Sequence, residues 1–356
     1  GGLGPTHDDR TVELVARAAG VELVVDEELE REIEEVSRTF AERLRRPYGD
    51  FAPGVTKQAT RPVSAVSIGL AGTAPGLVLR APTGCAVVIL PGPPRELRRL
   101  WPNALASEPL RELLERTRPP GRRVLRLFGV SESAVARALE EAGGDGDGVE
   151  ATICAREFEI HVDLVVEPGA EERADSLESA LVAPLERWLF ARDERSVEEL
   201  VLTLAAAQGL RLATAESCTG GMVAARLTDI AGSSASFVGG VVSYSDDLKR
   251  SELGVPEELL AAHGAVSAEV AAAMAEGARQ RLGADVAVAV TGVAGPGGGT
   301  PDKPVGRVHL HAAGPDGSLS RVLDLPGERG QIRLRATLTA LHLLRALLTG
   351  SRDEAA

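Results

Sequence analysis

The stretch ATAESCTGGMVAARL, residues 213–227, decides the fold of the last part of the chain. Its first residues are apolar, which is typical of a buried strand, and a glycine pair then opens an amphipathic segment that predicts a helix. Glu216, Ser217 and Thr219 stand between the two, at the predicted carboxyl end of the strand. Because sites in open α/β sheets gather at the carboxyl ends of strands, this junction is the first candidate site.

Two interpretations of Ser217 follow from this position. Gly220 and Gly221 leave backbone N–H groups uncovered at the positive end of the predicted helix, where they would stabilise a developing oxyanion. Ser217 would then be a nucleophile for acyl transfer. Alternatively, Ser217 and Thr219 only cap the helix, and spacing alone leaves both interpretations open. The neighbouring Cys218 is a rival nucleophile, for which we favour a packing role.

A second stretch, SYSDDLKRSELG at 243–254, supplies candidates for the base that a serine nucleophile needs. Tyr244 ends a predicted strand and Lys249 lies in the helix that follows. A partly desolvated lysine has a lowered pKa and serves as a base, while the tyrosine would relay the proton or orient the lysine. The alternative is that Lys249 is solvated on a helix face, as most lysines are. His263 lies in a predicted turn, where a structural role is favoured.

The third stretch is TGVAGPGGGTPDKPVGRV at 291–308, a strand end followed by a glycine-rich loop. Backbone without side chains approaches a ligand closely and donates N–H groups to a phosphate, although a flexible hairpin has the same composition. Arg329 and Arg333 at the start of the last predicted helix are suited to the same phosphate. A nucleophile, a base and a phosphate-binding loop in one domain indicate an enzyme site.

Strands alternate with helices along the whole chain, which predicts a multi-domain α/β protein. We expect two three-layer α/β domains, at 1–108 and 196–351, flanking a small α+β domain at 118–192. The order predicted for the small domain is β-α-β-β-α, with its last helix covering 170–190.

Composition narrows the functional classes. The chain has 52 acidic and 39 basic residues and a net charge of −13, which opposes extended binding to nucleic acid. No apolar run is long enough for a membrane span. Cys85, Cys154 and Cys218 have neither disulfide nor metal-ligand spacing, so we expect a cytoplasmic protein. His309 and His311 alternate on a predicted strand, where exposure on one face is favoured over metal binding.

Together, AESCTGG, SYS with Lys249, HGAVS, TGVAGPGGG and KPVG resemble the carboxyl-terminal domain of the competence/damage-inducible protein CinA family, over about 196–348. That domain is known as nicotinamide mononucleotide deamidase, so the resemblance implies an amidohydrolase without a cofactor, acting on a small nucleotide, and a homodimer. It implies Ser217 as the nucleophile and Tyr244 with Lys249 as the activating pair, leaving open which of the two is the base. The residues implied for substrate binding are Thr219, Gly220, Gly221, Thr291, Gly292, Gly295 and Arg333.

The front of the chain carries a second resemblance. GGLGPTHDD at 1–9, AGTAPG at 71–76 and LPGPPRE at 90–96 are similar to the molybdopterin-binding-like domain of long CinA proteins, and the middle domain takes the place of a KH-like domain. The resemblance implies metal-dependent hydrolysis of ADP-ribose. It assigns phosphate contacts and metal-linked acids to the opening loop: Gly1, Gly2, Gly4, Thr6, Asp8 and Asp9.

This front domain departs from the family pattern in two respects. The strand and helix units expected before Gly1 are absent, so we expect a domain incomplete at its start, and Gly69 stands where asparagine is expected. The leading prediction is therefore a nicotinamide mononucleotide amidohydrolase in the last domain. The alternatives are an ADP-ribose pyrophosphatase in the first domain and a non-enzymatic adaptor for competence or recombination proteins.

Overall fold

The computed structural model describes residues 1–350 and divides the chain into two compact units that meet between Pro119 and Pro120. Helices and several separate sheets occur in both units, which confirms the predicted multi-domain α/β class. The predicted boundary near 192–196 falls inside the second unit and stays a prediction.

The first unit contains two small antiparallel sheets, β1–β2 and β3–β4–β5, and five α-helices. Its elements are α1 (Thr11–Ala19), β1 (Leu23–Val25), α2 (Glu27–Leu44), α3 (Ala52–Ala59), β2 (Thr60–Pro62), β3 (Ala65–Leu70), β4 (Pro75–Arg80), β5 (Ala86–Ile89), α4 (Pro94–Ala106) and α5 (Glu108–Arg116).

Helix α2 shows how the sequence forms this unit. Asp26 caps the helix by accepting hydrogen bonds from the N–H groups of Glu28 and Leu29, so the first turn is satisfied where the chain enters. Leu29 and Ile33, one turn apart on this helix, form an apolar stripe, and both are buried in the same core as residues of β4. Burial of one face of an otherwise charged helix fixes it against the sheet.

The second unit begins with an antiparallel sheet of four strands in the order β7–β8–β6–β9, against which two helices pack. Its elements are β6 (Gly121–Phe128), α6 (Glu132–Glu141), β7 (Val149–Arg156), β8 (Glu159–Val166), α7 (Glu171–Val182) and β9 (Leu189–Ala191).

The prediction that one helix covers 170–190 is wrong. Helix α7 ends at Val182, and β9 then adds a strand beside β6. Pro184 explains the early end, because a proline cannot donate the N–H that would continue the helix. The predicted order β-α-β-β-α is otherwise present, with β9 added.

The rest of the second unit is a three-layer α/β/α domain. Its elements are α8 (Val197–Ala207), β10 (Leu212–Glu216), α9 (Met222–Thr228), β11 (Phe237–Val242), α10 (Asp246–Leu253), α11 (Glu257–His263), α12 (Ala268–Leu282), β12 (Val286–Gly292), β13 (Arg307–Gly314), β14 (Gly317–Asp324) and α13 (Arg329–Thr349).

One five-stranded sheet forms the middle layer, in the order β11–β10–β12–β13–β14. The strands β10, β11 and β12 are parallel, whereas β13 and β14 run antiparallel to their neighbours. Residues of α8, α9 and α13 form the core on one face, and residues of α12 with Leu253 of α10 form it on the other. The three parallel strands therefore end at one edge of the sheet, where the predicted site lies.

None of the helices within residues 1–350 combines the length and the apolar character that a membrane-spanning helix requires.

Candidate active site

Backbone hydrogen bonds fix the position of Ser217 just beyond the central strand β10. Its N–H donates to Val290 O of β12 at 2.8 Å. On the other side, the N–H of Ser243 donates to Glu216 O, also at 2.8 Å. The ends of three neighbouring parallel strands are thus tied together, and the residues that follow β10 and β11 lie side by side.

Lys249 reaches Ser217 from this arrangement. Its Nζ lies 3.2 Å from Ser217 Oγ and donates to Ser243 O at 2.9 Å. Ser217 is 8% exposed and Lys249 is 1% exposed. A lysine with so little exposure is uncommon, which rules out the solvated helix-face interpretation of Lys249.

Burial also sets the proton affinity of Lys249. Desolvation lowers the pKa of its ammonium group below the usual value, while the carboxylate of Asp246 acts in the opposite direction. Asp246 is a weak counterion, because its Oδ1 lies 3.8 Å from Nζ and its side chain is largely exposed. Burial therefore shifts Lys249 toward the neutral amine, which is the form a general base requires.

Cys218, the rival nucleophile, is buried in the protein core. Its side chain lies in the core between the sheet and α8 and α13. Burial raises the pKa of the Cys218 thiol to about 11, so the thiolate that would act as a nucleophile is disfavoured at neutral pH. This environment favours the packing role predicted for Cys218.

The prediction that the start of α9 offers free N–H groups is wrong. The buried carboxylate of Glu216 accepts hydrogen bonds from the N–H groups of Gly221, Val223 and Ala224 at 3.0, 3.1 and 2.8 Å. The N–H of Gly220 donates to Ser217 O at 3.1 Å. An acidic side chain satisfies the positive end of a helix as an anionic ligand would, so Glu216 already occupies that position.

Arg333, predicted to bind substrate, contacts the same turn from α13. Its Nε donates to Cys218 O at 3.0 Å and its Nη2 donates to Thr219 O at 2.8 Å. Gly220 has a φ of +63°, and a Cβ there would lie 3.3 Å from Arg333 Nη2. Glycine is therefore favoured at 220 by backbone conformation and by the approach of the arginine.

Tyr244 lies at the rim of the site. It is 63% exposed, and its hydroxyl accepts a hydrogen bond from Arg329 Nη2 at 3.3 Å. Arg329 also donates to Gly295 O at 2.7 Å, so it links the tyrosine to the glycine-rich loop. Among residues 1–350 the Tyr244 hydroxyl makes no hydrogen bond to Ser217 or Lys249, which favours Lys249 as the base.

Thr291, Gly292 and Gly295 form the β12 end and the beginning of the glycine-rich loop. The Thr291 hydroxyl is buried and donates to Ala265 O at 2.8 Å. A Cβ on Gly292 would lie 2.7 Å from Arg307 O, and Gly295 has a φ of +75°. Local contacts and backbone conformation thus explain why each of these residue types is present. Their roles in substrate binding stay predictions. Thr219 differs, since its hydroxyl is buried without a hydrogen-bond partner within the described part of the chain.

The opening loop of the first unit is organised by its own contacts. Asp9 Oδ2 accepts hydrogen bonds from the N–H and the hydroxyl of Thr6 at 3.1 and 2.6 Å. The Gly1 amino group donates to Leu90 O at 3.0 Å, and the Thr11 hydroxyl donates to Gly1 O at 2.7 Å. A cavity of about 470 Å³ lies against this loop, with the lining residues Gly2, Gly4, His7, Asp9, Arg10 and Lys57 among others.

The donors in this loop do not fit a divalent metal ion. Asp8 is exposed and does not line the cavity, and one oxygen of Asp9 is used by Thr6. Across residues 1–350, no three His, Cys, Asp or Glu side chains are grouped closely enough to hold a metal ion. Hard cations need several oxygen ligands, so the predicted pair Asp8 and Asp9 is insufficient. On β13, His311 Nδ1 lies 2.8 Å from Ser320 Oγ.

Sequence reasoning missed two residues that organise the site. Ser243 contributes its carbonyl to Lys249, a backbone contact that no residue pattern reveals. Glu216 precedes Ser217 directly, but the sequence pattern does not predict that its carboxylate accepts the N–H groups at the start of α9. A signal existed, because an acid at a strand end just before a glycine-opened helix is well placed to accept the first N–H groups.

Two family models match different parts of the chain. The profile described as the CinA C-terminal domain matches residues 194–348, and the profile described as a probable molybdopterin binding domain matches residues 1–111. Among solved structures, the competence/damage inducible protein CihA from Agrobacterium tumefaciens is 47% identical, with a TM-score of 0.42. The match covers 44% of this chain and 99% of that one.

Two relatives that match over nearly the whole chain are both described as CinA-like proteins. The CinA-like protein of Mycolicibacterium gilvum is 47% identical over 359 residues, covering 98% of this chain and 83% of the relative. The CinA-like protein of Mycobacterium tuberculosis is 44% identical over 358 residues, covering 98% of this chain and 82% of the relative. Identity at this level over this length shows that the chain belongs to the CinA-like protein family.

Proposed function

We propose that the last domain hydrolyses the carboxamide of nicotinamide mononucleotide to nicotinate mononucleotide and ammonia. The observation that carries the proposal is the 3.2 Å contact between Ser217 Oγ and the Nζ of the buried Lys249. A serine beside a lysine of lowered pKa is a known arrangement for nucleophilic attack on an acyl group. The choice of substrate rests on the resemblance of the surrounding motifs to the deamidase domain of the CinA family.

In the first half of the proposed reaction, neutral Lys249 accepts the hydroxyl proton of Ser217. Oγ then attacks the carboxamide carbon and forms a tetrahedral intermediate. The hydrogen bond from Nζ to Ser243 O holds the amine in place, so that its lone pair is available to Ser217. Lys249 returns the proton to the leaving nitrogen, the C–N bond breaks, and ammonia departs from an ester on Ser217.

In the second half, water attacks the ester carbon. Lys249 accepts one proton of the water and delivers it to Ser217 Oγ as the ester bond breaks. The released acid then loses the second proton to solvent and becomes the carboxylate product. The N–H groups of Cys218 and Thr219 are candidates for the oxyanion site, because neither donates to an oxygen atom within residues 1–350.

An ammonia-release assay with nicotinamide mononucleotide tests this function directly. We expect turnover by the unmodified chain and a loss of about 10³-fold or more in Ser217→Ala, since the covalent route is removed. Cys218→Ala is the matched control, and we expect it to retain activity within about threefold. Undiminished turnover in Ser217→Ala, or a loss confined to Cys218→Ala, would contradict the proposed nucleophile.

The cavity in the first unit favours a second, narrower candidate function, which is binding of an anionic nucleotide such as ADP-ribose. Lys57 is the lining cation that supports this candidate, because Arg10 is paired with Glu13, which lines the same cavity. Because the carboxylates there do not fit a metal ion, we assign no hydrolytic step to this loop. Calorimetric titration with ADP-ribose in the presence of a chelator tests the binding, with Lys57→Ala as the variant expected to weaken it.

A further inference from the structure

The turn after Ser217 is held from two opposite sides by side chains of opposite charge. On one side the buried Glu216 carboxylate takes the N–H groups of the first turn of α9. On the other side the Arg333 guanidinium takes the carbonyls of Cys218 and Thr219. We call Glu216 and Arg333, with these five hydrogen bonds, the clamp.

The clamp decides which way the peptide groups of the turn point. In a trans peptide the C=O and the following N–H point in opposite directions. The Cys218 carbonyl is directed at Arg333, so the N–H of Thr219 is directed away from the arginine. The Ser217 carbonyl accepts from Gly220, so the N–H of Cys218 points away from the inside of the turn. Neither of these two N–H groups donates to an oxygen atom within residues 1–350.

The charge of the Glu216 side chain suits the N–H groups that it holds. The carboxylate lies where the helix N-terminus attracts negative charge, and hydrogen bonds to an ionised acceptor are stronger than neutral ones. Because Glu216 fills this position, an anionic group of the substrate has no access to the first N–H groups of α9. The clamp thus stiffens the turn and reserves the N–H groups of residues 218 and 219.

We propose that Glu216, together with Arg333, is a positioning residue that aims the Cys218 and Thr219 N–H groups at the oxyanion formed when Ser217 attacks. This inference rests on the proposed amide hydrolysis and deepens it. It also reassigns Arg333, which was predicted to bind substrate, to holding the nucleophile turn. A positioning role predicts lost kcat with little change in KM, because the oxyanion exists only after attack.

The substitution Glu216→Gln tests the clamp while preserving side-chain volume. Its amide has one oxygen acceptor, whereas the two carboxylate oxygens accept three N–H groups. We expect kcat for ammonia release to fall by about 10²-fold, the effect of losing an oxyanion donor, with KM within about threefold of the unmodified chain. The matched control is Glu199→Gln, the same change in the capping box of α8, for which we expect unchanged kcat.

Thermal unfolding of each variant shows whether a loss of kcat comes from failure to fold or from a misplaced turn. A folded Glu216→Gln variant whose kcat stays within about threefold of the unmodified chain, or falls only as much as in Glu199→Gln, would overturn the proposal. If Glu216→Gln does not fold, Arg333→Lys decides, because lysine keeps the charge but loses the fork that holds two carbonyls. We expect it to lose kcat; a raised KM with unchanged kcat would return Arg333 to substrate binding and overturn the clamp. An inactive unmodified chain would instead refute the proposed function itself.

Discussion

The loops at 1–9 and 216–221 both place glycines and carboxylates ahead of a helix, yet they use their polar side chains differently. In the first, Asp9 bonds to Thr6 within an exposed segment. In the second, the carboxylate of Glu216 is buried and satisfies the helix, while the buried pair of Ser217 and Lys249 faces the strand end.

The two loops differ in whether an ionisable group is buried without a close partner of opposite charge. Burying an amine whose only counterion is distant costs free energy, and such groups persist mainly where chemistry needs their altered proton affinity. Lys249 meets this description, since desolvation is the largest influence on its pKa. The exposed loop has no comparable group, and water solvates its polar atoms at little cost. Glycines and acids alone therefore do not distinguish the loop at 216–221 from the loop at 1–9.

The largest expected effect comes from removing the base. Lys249→Met keeps an unbranched apolar stem in the buried site, and we expect ammonia release to fall by about 10²-fold or more, the scale of a general base. In the unmodified chain, kcat/KM should fall as the pH drops through the lowered pKa of Lys249, because the protonated amine cannot accept a proton. A loss of only a few-fold would contradict Lys249 as the base and with it the contrast between the two loops. The same holds if the fall of kcat/KM at low pH persists in Lys249→Met.

The carboxyl of Glu159 lies outside the site and is largely buried, and its pKa can be compared with that of Asp9 in the opening loop. Burial raises the pKa of Glu159 from its ordinary 4.5 to about 7, against the opposing effect of His161 and with the help of Glu198. His342 Nε2 lies 2.8 Å from its Oε1, and the Arg226 cation lowers the same pKa. By contrast, the hydrogen bond from Thr6 lowers the pKa of the exposed Asp9.

Between pH 4.5 and about 7 the folded chain keeps the Glu159 proton that the unfolded chain has released. The free energy of unfolding should therefore fall as the pH rises through this window, by on the order of 2 kcal/mol. Denaturant unfolding across this range measures the fall, and Glu159→Gln should flatten it. An equal slope in the variant would show that another group is responsible.

A smaller effect is expected at the rim of the site. Tyr244→Phe removes the hydroxyl that accepts from Arg329 but leaves the Ser217–Lys249 contact intact. We expect kcat to change by less than about tenfold, with the larger change in KM, because only an edge contact is lost. A loss as large as that of Lys249→Met would make the tyrosine part of the proton relay.

The smallest effect is expected in the opening loop. Asp9→Ala removes the contact to Thr6 and should leave ammonia release unchanged. Asp8→Ala, at an exposed position that does not line the cavity, is the matched control. If the unmodified chain releases AMP from ADP-ribose in a metal-dependent manner and either variant abolishes it, the opening loop is a reactive site and the contrast fails.

Much of the site could be predicted because parallel strands bring distant residues together. Ser217 and Lys249 both follow strands that end at the same sheet edge, so their neighbourhood follows from the alternation of strands and helices. Burial of Lys249 could not be predicted, since the surrounding DDLKRSE reads as a polar helix. The satisfied start of α9 was also missed, because a side chain that folds back onto its own loop leaves no periodic signal.

Rapid-quench mass spectrometry of the unmodified chain mixed with nicotinamide mononucleotide tests directly whether Ser217 is the nucleophile. We expect a transient adduct, with the mass of the substrate less ammonia, on the peptide that contains Ser217, and its absence in Ser217→Ala. Lys249→Met should form it at least about 10²-fold more slowly. Ammonia release without any adduct, or an adduct assigned to Cys218, would contradict Ser217 as the nucleophile.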